Sequence, residues 1–114
     1  MSGEAIFRHL SALLRPHAAN LSVKSDDDRN FYIEEDRSTG KPQMFAAVQL
    51  KASYVALHVY PLYARPELLE HVSPDLRARM QGKSCFNFKR EEQVLDEQIN
   101  ALLEIAYRSI AGST

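Results

Sequence analysis

What most limits how this chain can fold lies in its middle. Two strand-forming runs, residues 43–51 and 53–60, follow one another with no room for a crossover between them. Parallel strands need a connection of about a dozen residues or more, so this pair is expected to run antiparallel. In the second run Val55, Leu57 and Val59 point one way, while Tyr54, Ala56, His58 and Tyr60 point the other. One face is therefore aliphatic and needs a cover; the other is aromatic and polar.

The cover is written at the two ends. Residues 3–19 carry Ile6, Phe7, Leu10, Leu13, Leu14 and His17 at helical spacing, with Ser2 placed to cap the start and Pro16 to stop or bend the end. Residues 91–110 carry Leu95, Ile99, Leu102, Leu103, Ala106 and Ile110 in a second stripe, with Gly112 just beyond it. Between them, residues 21–35 read as a hairpin around a charged loop, and residues 36–42 as another loop. Pro66 and Pro74 each sit just inside a short helix, the second after the N-cap residue Ser73. Gly82 stops that helix, and residues 84–88 alternate as a last strand with Phe86 and Phe88 on one face. The expected fold is α+β: a single antiparallel-rich sheet with helices packed on one face, in the order α-β-β-β-β-α(α)-β-α.

At 114 residues this is one domain, 1–114, with 45% hydrophobic and 25% charged residues, an ordinary globular balance. The net charge of -1 supplies no global field for nucleic acid or an anionic membrane, so neither is expected as a partner. Charge is nonetheless uneven, with acids gathered over residues 26–36 and a basic stretch, Lys83 and Lys89-Arg90, around the last strand. A single cysteine, Cys85, cannot form an internal disulfide and fits a reducing compartment. The chain starts without a signal-type apolar stretch, and its longest run free of Asp, Glu, Lys and Arg, residues 52–64, is shorter than the roughly 20 residues that span a bilayer. A cytoplasmic location is expected.

Several motifs invite chemistry. Gly82-Lys83-Ser84 resembles the tail of a phosphate-binding loop, but Arg77 stands where that motif needs glycine, and the helix-then-strand order is reversed. His58, between two tyrosines, could titrate near neutrality or act as a base, although no carboxylate or cysteine lies close in sequence at metal-ligand spacing. Cys85 lies on a strand after a helix C-terminus, which does nothing to lower a thiol pKa, so it reads as a packed free thiol. Asp26, Asp27 and Asp28 with Glu34, Glu35 and Asp36 offer oxygen ligands for a divalent cation but lack EF-hand spacing. The aromatic-polar face suits a second subunit, a peptide or a flat small molecule.

The runs Met44-Phe45-Ala46-Ala47-Val48, residues 54–63, Pro66-Glu67-Leu68-Leu69 and, most sharply, Gly82-Lys83-Ser84-Cys85-Phe86-Asn87-Phe88-Lys89 carry a resemblance. Across almost its whole length the chain resembles the YdhG-like family of small bacterial domains. The resemblance implies a compact α+β domain similar to the secretion-chaperone-like folds, and no established activity. Some relatives are labelled iron chaperones by likeness to frataxin, which would direct attention to the acidic hairpin.

The leading expectation is non-enzymatic binding of a partner protein or small ligand, in a homodimer and without a cofactor, through Tyr54, His58, Tyr60 and Lys83. Lys83 would be the anion partner and the aromatics the platform. Metal handling by the acidic hairpin is the alternative, and a small enzyme using His58 as base the third.

Overall fold

The computed structural model describes residues 3–19, 21–35 and 43–111. Five strands form one antiparallel sheet in chain order: β1 (Ser22–Asp26), β2 (Asn30–Glu35), β3 (Gln43–Leu50), β4 (Val55–Val59) and β5 (Cys85–Phe88). Helices α1 (Gly3–Leu14), α2 (Tyr60–Ala64), α3 (Pro74–Arg77) and α4 (Asp96–Ala111) complete the α+β fold, with short 3-10 turns at Arg15–Ala18, Pro66–His71 and Glu91–Gln93. No helix among the described residues is long and apolar enough to cross a membrane. The expected loop at residues 36–42, Ser2 as a cap, Asp36 as a ligand and Gly112 as a stop lie outside the described residues.

Strand alternation builds the core. Phe31, Val48, Leu57 and Phe86 are register partners across β2, β3, β4 and β5, and all four are buried. Ile33, Ala46 and Val59 form a parallel row beside them, while Val55 opposes Phe88. Onto this face α1 lays Ile6, Phe7, Leu10 and Leu14, and α4 adds Ile99, Leu102, Leu103 and Ala106 to the same core, packed against α1 and α2. A β-bulge between Ile33 and Glu34 of β2 lets Ile33 pair with Ala46 and Glu34 with Met44, so Phe45 is the extra residue. Phe45 and Ala46 are both buried as a result, and the Phe45 ring meets Tyr107 of α4 edge-on, with centroids 6.2 Å apart and planes at 87°.

Four boundaries differ from expectation. Lys51 N–H donates to Tyr54 O at 2.9 Å, closing a turn that delays the start of β4 to Val55. Pro61 does more than end the strand: α2 begins at Tyr60, because proline in a first helical turn is pre-organised for helix. The C-terminal helix starts at Asp96, since Gln93 Oε1 takes the Lys89 and Arg90 backbone N–H groups at 2.8 and 3.1 Å and holds residues 91–93 in a separate turn. Ser73 does cap α3, its hydroxyl accepting from Leu76 N–H at 3.2 Å, but Gly82 does not stop that helix: α3 ends at Arg77, and Gly82, with a φ of 82°, lies in the turn before β5.

Ser11, on the buried side of α1, is 6% exposed, and its hydroxyl has no hydrogen-bond partner among the described residues. Alanine there removes an unsatisfied buried group and raises helix propensity. Ser11→Ala is expected to stabilise the fold by about 1 kcal/mol, read as a higher urea midpoint with an unchanged slope.

Candidate functional site

The sheet face away from α1 and α4 is built from the other half of each alternation. One row runs Tyr32, Ala47, His58, Cys85 across β2 to β5, and the next runs Asn30, Gln49, Ala56, Asn87. Ala47 and Ala56 are buried and form the floor, while the larger side chains are half-buried around them. Gln49 Nε2 donates to Asn30 Oδ1 at 3.3 Å along the second row.

Neither tyrosine expected beside His58 lies within β4. Tyr54 lies in the β3–β4 turn, and Tyr60 has left the strand to begin α2, where its ring packs against Tyr63 with centroids 5.7 Å apart. Lys83 is exposed in the turn before β5. Beside His58 the structure places Cys85 instead: the two are direct partners in the β4–β5 register, and Cys85 Sγ lies 4.0 Å from His58 Nε2. Cys85 Sγ also donates to Asn87 Oδ1 at 3.5 Å, two residues along the same face. Both His58 and Cys85 fall on the inferred polar side of their strands, but their pairing depends on register, which 25 intervening residues (60–84) leave unspecified in the sequence.

Burial sets the electrostatics of this pair. It pushes the His58 pKa below the ordinary imidazole value, helped by the positive charge of Lys51 in the β3–β4 turn. It pushes the Cys85 thiol up, with Lys51 opposing. The pair therefore rests as neutral imidazole and neutral thiol at neutral pH.

Next to Asn87 a cleft of about 420 Å³ opens between the β3–β4 turn and the segment that flanks β5. Ser53, Tyr54, Ala78, Arg79, Gln81, Asn87 and Lys89 line it. Its far wall is fixed to the sheet, because Asn87 N–H donates to Arg79 O and Gln81 N–H to Cys85 O, each at 2.8 Å. Two cations line the cleft and no carboxylate does. Neither Arg79 nor Lys89 has an ion-pair partner among the described residues.

The acidic hairpin is committed differently. Asp26 forms a two-pronged pair with Arg15, at 2.9 and 3.2 Å, and Arg15 also lies 4.5 Å from the centre of the Phe31 ring. Asp27 Oδ1 accepts from Arg29 and Asn30 N–H, both at 2.8 Å, and so shapes the turn. Glu34 lies 4.0 Å from Lys24; Asp28 is exposed and Glu35 half-buried. Among the described residues no group of three or more His, Cys, Asp or Glu is placed to hold a metal ion.

A pH dependence follows from His58. Its folded pKa is depressed, so the unfolded chain takes up the proton first, and the stability held above the unfolded value of about 6.5 is lost as pH falls from there toward the folded pKa. Urea denaturation at pH 7 and pH 5 is expected to show a loss that His58→Gln reduces. An equal loss in both proteins would count against it. No family model, no curated protein and no solved structure matches the chain.

Proposed function

We propose that the protein is a ligand-binding domain whose cleft beside β5 takes a small anionic molecule. One observation carries this reading: the cleft is lined by Arg79 and Lys89, together with the polar groups of Ser53, Tyr54, Gln81 and Asn87, without a carboxylate among them. Cations without a protein counter-charge attract an anion, and a guanidinium offers a planar fork of donors to carboxylate or phosphate oxygens. The backbone bonds to β5 hold the main chain at Arg79 in place before the ligand arrives, which reduces the ordering cost of binding. Of the residues expected as ligand contacts, Tyr54 belongs to this cleft, and His58 lies beside it in the next row of the same face.

The test is a thermal-shift titration with phosphate, pyrophosphate and citrate. An anion present at about 100 times its Kd stabilises the fold by about 2.7 kcal/mol. The shift is expected to shrink with added salt and to vanish in the Arg79→Ala, Lys89→Ala double variant. Equal shifts in the double variant, or none with any of the three anions, would refute the reading.

A further inference from the structure

The His58–Cys85 contact lies next to the cleft on the same sheet face. We propose that Cys85 and His58 form a nucleophile and base pair that captures a small anionic electrophile admitted by the neighbouring cationic cleft; the electrophile's charge rests on the binding reading above, and the pair itself does not.

Geometry carries the inference. A nucleophilic thiol needs a base within reach, a fixed orientation and access for the reacting carbon. Here the imidazole nitrogen lies 4.0 Å from sulfur, somewhat beyond an ordinary hydrogen bond and within the approach that tightens when a substrate binds. Asn87 takes a hydrogen bond from the thiol and is itself one of the residues that line the cleft, so the pair lies next to the cleft on the same sheet face. Register pairing of His58 with Cys85 fixes both side chains on a rigid sheet. The sulfur is half-buried, so it is shielded without being sealed.

The step is a displacement. Sulfur forms a bond to the electrophilic carbon, the leaving group departs with the electron pair of the bond that breaks, and the thiol proton turns from Asn87 Oδ1 and passes to His58 Nε2. Because burial disfavours free thiolate at neutral pH, the base is needed during the attack. Lys51, whose charge already acts on both groups, favours the negative charge that develops on sulfur.

Cys85 is the only cysteine in the chain, so alkylation by iodoacetate and iodoacetamide reports on this one thiol. Relative to free cysteine, the protein is expected to favour the anionic reagent several-fold, a preference that Arg79→Ala and Lys89→Ala reduce. His58→Gln is expected to slow both reagents at neutral pH by about tenfold or more. A His58→Gln rate equal to that of the parent overturns the pair. His58-dependent alkylation without preference for iodoacetate sustains the pair and instead counts against the anionic cleft. Should His58→Gln fail to fold, the parent's pH profile decides: base assistance gives a plateau between the two titrations, whereas a single continuous rise overturns the proposal.

Discussion

Phe86→Ala is expected to lower stability by about 3–5 kcal/mol, and the unfolding midpoint by about 12–20 °C at roughly 4 °C per kcal/mol for a chain of this size. Phe86 is fully buried and ends the row Phe31, Val48, Leu57, Phe86 that crosses four strands. It also pairs on its other side with Met80, so its backbone is held between β4 and the flanking segment and cannot slide to fill the space. A cavity whose walls cannot collapse gives the upper part of the range. Scanning calorimetry on the variant checks this, and a shift below about 5 °C would mean that the site relaxes.

Phe45→Ala is expected to cost a similar 3–5 kcal/mol for a different reason. The bulged residue has no partner of its own across the β2–β3 ladder, and its fully buried ring contributes to the sheet–helix contact through the edge-on meeting with Tyr107. Aromatic pairs of this kind add about 0.5–1.5 kcal/mol beyond the area they bury. Tyr107→Leu should therefore cost about 1 kcal/mol in the parent and markedly less in the Phe45→Ala background. Equal costs in the two backgrounds, measured by urea denaturation, would show that the rings are uncoupled.

How much of this was legible in the sequence depends on the range of the interactions. The inward set Val55, Leu57, Val59 and the cap at Ser73 follow from local rules of alternation and side-chain capping, whereas the helix that Ser73 caps ends at Arg77, well short of Gly82. Phe45 beside Ala46 breaks strict alternation, and only the pairing with β2 shows why both point inward. Tyr60 could equally have continued a strand or opened a helix; the proline after it is compatible with either element ending or beginning there. In the candidate site, His58 and Tyr54 stand out in the sequence and Tyr54 lines the cleft, whereas nothing in the sequence sets Cys85 beside His58. Its nearness to the imidazole is a long-range register, and neither residue's neighbours in sequence carry that information. Arg79 is likewise invisible: it sits just past α3, and its place beside β5 follows from a backbone bond to a strand that comes later in the chain.

The simple order of the sheet also has a kinetic side. Each of the first three strands is joined to the next by a short connection, so three pairings close small loops at little entropic cost. Only β5 must return across residues 60–84 before it can dock on β4. The thiol and the imidazole thus belong to the pairing expected to form last, and the exchange of β5 amide protons should report how often the two are parted.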